Sequence, residues 1–318
     1  MHIISPSLFD ADFAKSCIAY CDIHHGQACT TLREGLPFLR VIDCRTRQVV
    51  RAPVNCQYVA LSYVWGSSTS DIVLDEELPQ SNETYLPRCP DVIENSLSVT
   101  TMIGAQYLWI DRYCIDQEDS VDKHHQITHM DAIYANAFIT IIAAAGDGPD
   151  YGLPGVERPR KVHPHLLIDR NHLVSTLPHA SALVNSSRWA SRGWTYQEGI
   201  LSKRRLIFTD EQVYFECSNL YCAESLRLST SEDQILRMES RTRFLANLPS
   251  RHFPQDRTEL NPWQIMSCIS DFSKRQLSFA SDTLNALQGI FRMFAKAKTP
   301  VYNLCGVPIL DCGSVSRF

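Results

Sequence analysis

The sequence predicts an α/β fold with a mostly parallel sheet, helices on both faces, a long insertion and a mainly helical C-terminal extension. Apolar runs that suit buried strands alternate with helical periodicity between Leu39 and Cys217. Three of the transitions end in polar and aromatic stretches: Ser62-Tyr63-Val64-Trp65-Gly66, Trp109-Ile110-Asp111-Arg112-Tyr113-Cys114-Ile115-Asp116-Gln117, and Gly193-Trp194-Thr195-Tyr196-Gln197-Glu198. Loops leaving the ends of parallel strands build the ligand site, so the three stretches imply one cleft assembled from separate segments. With 44% hydrophobic and 20% charged residues, the 318-residue chain has the balance of a globular protein with a sizeable core.

Residues 1–37 mix Asp, Cys, His and Gly without clear period and read as an N-terminal segment, weakly ordered or made of a few short helices. Leu39 to Asp43 and Gln57 to Trp65 fit strands, the second apolar enough for a central position. Pro90 suits the first position of a helix whose apolar face is Val92, Ile93, Leu97, Val99, Thr100 and Ile103, and Gly104 ends it. Tyr107 to Asp111 is the next strand. Ser120 is placed to cap a helix with the stripe Ile127, Met130, Tyr134 and Ala137, and Phe138 to Ala144 follows as a strand.

Gly146 to His179 is rich in Gly, Pro, His and Arg and reads as a long loop or insertion over the sheet, of a length common in functional lids or disordered segments. Trp189 to Glu198 fits a short helix or turn. Arg205 to Phe208 and Gln212 to Cys217 fit a hairpin turned by Thr209-Asp210-Glu211. Beyond Ser225 come polar residues, then two amphipathic helices, one around Trp263, Ile269 and Phe272 and one with Leu284, Leu287, Phe291 and Phe294, expected on the sheet edge. Gly306 to Leu310 reads as the start of a further element, as in a shortened chain. The domain division is therefore 1–37, 38–217 and 218–318.

The net charge of −5 and the short basic clusters Arg158-Pro159-Arg160-Lys161 and Lys203-Arg204-Arg205 argue against nucleic acid. The longest apolar run, Ala137 to Ala145, is too short to span a bilayer, and the N-terminus lacks the pattern of a signal peptide. A cytoplasmic location is the expectation. Twelve scattered cysteines without an export signal read as reduced thiols. Cys17, Cys21, His24, His25 and Cys29 offer zinc-ligand chemistry, but the Cys-x3-Cys opening is loose and no second paired half follows, so no metal ligand is assigned.

Glu198 follows Trp194 by one helical turn, where a partly desolvated carboxyl suits acid–base or charge-stabilising work; a local cap or ion pair is the other reading. Asp111 ends a buried strand, where a carboxylate needs a ligand or a donor such as Arg112. Trp65 and Trp109 fit either core or ligand, and Gly66 permits close approach to the backbone. His125 and His129 lie one turn apart, but Gln126 stands where a zinc protease needs its glutamate, and both are read as exposed. No nucleophile elbow, phosphate loop or dinucleotide fingerprint occurs.

Together, Tyr58 to Gly66, Leu108 to Gln117, Met130 to Ala137 and Arg192 to Glu198 resemble the heterokaryon incompatibility (HET) domain of filamentous fungi over residues 38–217. Ser273 to Ile290, with Gln276-Leu277-Ser278-Phe279-Ala280-Ser281-Asp282, resembles the region that follows that domain. The resemblance implies non-self recognition and regulated cell death. A more distant likeness is to Toll/interleukin-1 receptor (TIR) domains, whose first strand ends in Ser-Phe-x-Gly and whose later Trp-x-x-x-Glu carries the glutamate that cleaves NAD. Ser62-Tyr63-Val64-Trp65-Gly66 is similar to the first element, with one extra residue before the glycine, and Trp194 with Glu198 to the second.

That likeness implies a flavodoxin-like architecture, Glu198 as the catalytic residue, and Ser62, Trp65, Gly66, Asp111, Arg112 and Trp194 as nucleotide-binding residues. NAD would be substrate, with no cofactor required. Glu198 would stabilise an oxocarbenium-like transition state. The partners implied are self-association and a receptor-type signalling protein, with neither nucleic acid nor membrane. Two alternatives stand beside this one: a non-enzymatic adaptor or scaffold in the same signalling, and a zinc-dependent hydrolase.

Overall fold

The computed structural model describes residues 4–29, 36–66, 84–169, 171–174, 177–178, 180–218, 220–225 and 260–310. Helix α1 (Ala11–His24) and the turn of α2 (Gly26–Cys29) precede strands β1 (Arg40–Asp43), β2 (Gln48–Arg51), β3 (Tyr58–Ser62) and β4 (Thr84–Tyr85). Helix α3 (Asp91–Met102), strand β5 (Tyr107–Trp109), helices α4 (Asp111–Cys114), α5 (Ser120–Thr128) and α6 (Met130–Asn136), and strand β6 (Ile139–Ala143) follow. The insertion contributes a 3-10 turn at Pro149–Tyr151 and the hairpin β7 (His165–Ile168) and β8 (Asn171–Val174). Helices α7 (Ala180–Asn185), α8 (Arg188–Ser191) and α9 (Gly193–Leu201) lead to β9 (Arg204–Phe208), β10 (Val213–Cys217) and β11 (Tyr221–Ala223). Helices α10 (Gln264–Phe272) and α11 (Asn285–Ala295) and the hairpin β12 (Val301–Leu304) and β13 (Val307–Leu310) complete the described chain.

Nine strands form one sheet in the order β11-β10-β9-β6-β3-β5-β1-β2-β4. Its centre is parallel: β3 pairs with β5 on one side and β6 on the other, and β6 pairs with β9. Taken in chain order those four strands lie second, first, third, fourth, the flavodoxin-like arrangement, whose reversal beside the first strand opens a crevice at the strand ends. Antiparallel strands extend both flanks, β10 and β11 beyond β9, and β1, β2 and β4 beyond β5.

Every residue of β3, β6, β9 and β10 is buried, which requires cover on both faces. Alternate residues divide between two cores. Ile141 and Leu206 join the main core, while Ile142 and Ile207 join a smaller one closed by Ala180, Val184, Trp189 and Ala190 of α7 and α8.

The structure decides one open expectation, the helical reading of the N-terminal segment, and corrects those for Pro90, Ser120 and the helix at Leu284 to Phe294. The N-terminal segment contains a 14-residue helix, capped by Asp10 accepting from Phe13 N, which buries Phe13, Ala14, Cys17, Ile18 and Cys21. Pro90 is the N-cap of α3, one position before the helix. Asp119, not Ser120, caps α5 by accepting from Val121 N and Asp122 N, and the chain breaks at His129 into two helices because that residue leaves helical geometry. Helix α11 packs on α9, α6 and α5 instead of a sheet edge. Gly289 allows this approach: its N–H donates to Gln197 Oε1 at 2.8 Å, and a Cβ there would lie 2.4 Å from Asp131 Cβ. The apolar Gly306 to Leu310 segment forms the second strand of a hairpin. The polar stretch beyond Ser225 and residues 311–318 lie outside the described residues.

Candidate functional site

Two of the three predicted stretches leave adjacent parallel strands, and the third is a helix packed beneath them. Ser62 is the last residue of β3, Asp111 opens the short helix after β5, and Glu198 sits in α9, which packs on β3. The arrangement brings Ser62 and Glu198 into direct contact: the Ser62 hydroxyl donates to Glu198 Oε2. Ser62 Oγ also accepts the Trp189 indole N–H at 2.7 Å. Tyr134, whose hydroxyl donates to Leu61 O at 3.0 Å, borders the same carboxyl. Ser62, Trp189, Tyr134 and Glu198 are all buried, and they form a closed polar floor.

Above that floor lies a half-exposed group. Trp65 Nε1 donates to both oxygens of Asp111, at 2.9 and 3.1 Å, and Arg112 N donates to Asp111 Oδ1 at 2.7 Å. The Arg112 guanidinium lies 5.9 Å from the Trp65 ring centre, within cation–π range. Arg192, just before α9, donates to Tyr63 O at 3.0 Å. Trp65, Asp111, Arg112 and Arg192 each keep part of their surface accessible. Gly66, exposed and at φ 81°, takes the left-handed conformation that glycine adopts without strain.

Both carboxyls titrate high. Burial pushes Glu198 up to about 7, the neighbouring Asp111 charge adds to the rise, and the Ser62 hydrogen bond and Arg192 oppose it. Burial likewise pushes Asp111 up to about 6, against the Arg112 N–H, the Trp65 indole and the charges of Arg192 and Arg112. Near neutral pH Glu198 therefore stands between its neutral and ionised forms, while Asp111 is mostly ionised.

Of the predicted site residues, Ser62, Trp65, Gly66, Asp111, Arg112 and Glu198 thus gather at one end of the sheet. Trp194 does not share those contacts; its Nε1 points to Asp282 Oδ2 at 3.4 Å, toward the C-terminal segment. Trp109 is wholly buried, edge-on to Tyr134 with ring centres 5.4 Å apart, and belongs to the core. His125 is exposed, while His129 is half-buried; their rings lie 4.4 Å apart, and both meet Phe38.

Trp189, Tyr134 and Arg192 are the partners that the sequence reading did not assign to the site. Tyr134 carried a usable signal, since a phenol on an otherwise apolar stripe needs a polar partner inside the fold.

Residues 58–198 match the family described as "Heterokaryon incompatibility protein (HET)". That segment, somewhat under half of the chain, is similar to a heterokaryon incompatibility domain. The matched HET segment runs from the first residue of β3 to Glu198 itself, so its limits enclose the whole polar floor. A curated relative, "Heterokaryon incompatibility protein 6, OR allele", of Neurospora crassa, is 32% identical over 108 residues. That similarity covers 30% of this chain and 15% of the length of the relative. No solved structure matches the chain. Among the described residues, no helix is long and apolar enough to cross a membrane.

Proposed function

We propose that this HET domain serves heterokaryon-incompatibility signalling that ends in regulated cell death, and that its strand-end site binds and hydrolyses NAD or a related nucleotide. The observation that carries the reading is the Glu198 carboxyl, buried against Ser62 and raised to about 7 beneath a half-exposed rim of Trp65, Asp111, Arg112 and Arg192. The two guanidinium groups suit the diphosphate of a dinucleotide, and the Trp65 ring suits stacking against a base or nicotinamide.

In the reaction, the bond between ribose C1′ and the nicotinamide nitrogen breaks, and its electron pair leaves with neutral nicotinamide. The positive charge that develops on the ribose is stabilised by ionised Glu198. Water then bonds to C1′ and gives its proton to Asp111 or to solvent, leaving ADP-ribose. Ser62 orients Glu198, and Trp189 orients Ser62. Calorimetric titration with ADP-ribose tests the binding half of the proposal. Saturable binding to the wild type, weakened at least about tenfold by Arg112→Ala through loss of a charged contact, supports it; absence of binding by ADP-ribose and NAD alike sinks it.

One observation favours a second reading, a self-associating scaffold without catalysis. Hairpin β7–β8 exposes Leu166 and Ile168 on one face of the ribbon, with Leu173 directly across from Leu166, an apolar ridge suited to another protein surface. Concentration-dependent sedimentation of the wild type, abolished by Leu166→Asp, would support that role.

A further inference from the structure

We propose that Cys21, His25, Cys29 and Cys217 form a structural zinc site that fastens the N-terminal helix to the sheet. Cys21 lies in the last turn of α1, His25 is its C-cap residue, and Cys29 ends the following turn α2, so one short stretch of chain supplies all three. Cys217 arrives from the last position of β10. The ligand atoms of Cys21, His25 and Cys217 all lie within 4.8 Å of one another. His25 Nδ1 is 3.4 Å from Cys217 Sγ, and in a tetrahedral zinc centre that sulfur-to-nitrogen edge is about 3.5 Å, from Zn–S and Zn–N bonds of about 2.3 and 2.0–2.1 Å. The buried Cys29 thiol lies beside Cys21 and Cys217 but outside the group of three, so it would supply the fourth ligand by a shift of its side chain toward the metal.

The surroundings suit thiolates. Arg204 Nε donates to Cys21 Sγ at 3.2 Å, and its guanidinium offsets the net negative charge of three thiolates, one imidazole and Zn²⁺. Ser218 donates to Cys29 through both its side chain and its backbone. Such outer contacts orient and tune metal ligands. The site uses only part of the cysteine-rich N-terminal sequence. Cys17 turns instead to Cys222, His24 is exposed, and the missing ligand comes from a strand remote in sequence.

All four proposed ligands are buried, with exposures of 0% for Cys21 and Cys29, 2% for Cys217 and 7% for His25. Four protein ligands in a closed setting leave no position for substrate water, so the metal would hold the fold together and take no part in hydrolysis. Binding would release the thiol protons as the sulfurs coordinate.

The test is elemental analysis of the full chain purified under reducing conditions without chelator, together with cobalt substitution. The expected result is one zinc per chain and, with Co²⁺, the intense thiolate charge-transfer and visible bands of a tetrahedral site. Cys29→Ser should lower zinc retention at least about tenfold, as expected for loss of a ligand, whereas Cys56→Ser should retain it. Because a ligand variant can fail to fold, the wild type is also melted with and without a strong chelator, and a fall in Tm on chelation is expected. Folded wild type that takes up neither zinc nor cobalt, or a disulfide among these cysteines in the freshly purified reduced protein, would overturn the proposal. Neither readout depends on nucleotide chemistry.

Discussion

The Ser62 hydroxyl donates to Glu198 and in the same position accepts the Trp189 indole N–H, so one small side chain sets the orientation of both larger ones. Ser62→Ala would leave a buried carboxyl and a buried indole N–H each short of a partner. The expected cost is about 2–4 kcal/mol of unfolding free energy, measured by urea denaturation, with the Glu198 pKa rising further because a lowering contact is lost. A variant as stable as wild type would show that the contact has no structural role.

The raised carboxyls make stability fall as pH rises. Glu198 binds its proton more tightly in the fold, at about 7 against an ordinary 4.5, so its contribution is fully present below about 4.5 and lost as pH climbs through 7. The size is about 3 kcal/mol for Glu198 alone, and Asp111, raised from 3.8 to about 6, acts in the same direction. The proposed catalysis by ionised Glu198 would run the other way and increase through the same range. Denaturation midpoints from pH 4.5 to 8 are expected to decline in the wild type and to flatten in Glu198→Gln; parallel profiles would remove Glu198 from the account.

The buried ion pair between Arg160 and Glu224 joins the insertion to the end of the sheet. Its atoms lie 2.6 Å apart with both side chains at 1% exposure or less, and Glu224 also accepts from Asp10 N and Val213 N. Removing one partner strands the other charge, so Arg160→Met is expected to cost about 3–5 kcal/mol, read from the shift in the denaturation midpoint. A cost near zero would mean that the freed carboxylate finds water or protonates without penalty.

Gly193 is where the C-terminal segment meets α9. Its N–H donates to Gln276 O at 2.7 Å, and a Cβ would stand 2.5 Å from Leu277 Cδ2 and 2.8 Å from Leu277 Cγ. Gly193→Ala is therefore expected to lose about 1–3 kcal/mol by overpacking. Leu277→Ala in the same chain should recover part of that loss, because the clash is with that side chain; a strictly additive double mutant would place the strain elsewhere.

The parts of this fold that were legible in the sequence are those whose burial is carried by large apolar side chains. Strands β3, β6 and β9 are buried at every position, and such runs announce themselves without context. Helix α1 was obscured because its inner face includes Ala14, Cys17 and Cys21, small residues that register weakly as apolar. Strand β2 shows Val49 and Val50 only half covered at the flank of the sheet, too short a pattern to read alone. At the site, Ser62, Asp111 and Glu198 were recognisable as polar groups placed where apolar elements end. Trp189 was not, since nothing in its neighbours reveals that its N–H turns inward to Ser62, while Trp194, the more conspicuous indole, turns to Asp282.

The central claim is that Glu198 cleaves the nicotinamide bond of a nucleotide, and nicotinamide release from NAD tests it most directly. Wild type and Glu198→Gln, both shown folded by circular dichroism, would be assayed at pH 7.5 over dilute and crowded protein concentrations. The account predicts turnover by the wild type and a loss of at least about a hundredfold in the variant, the scale on which removal of a charge-stabilising group acts. Equal release by both proteins, or none from the wild type at any concentration, would contradict it.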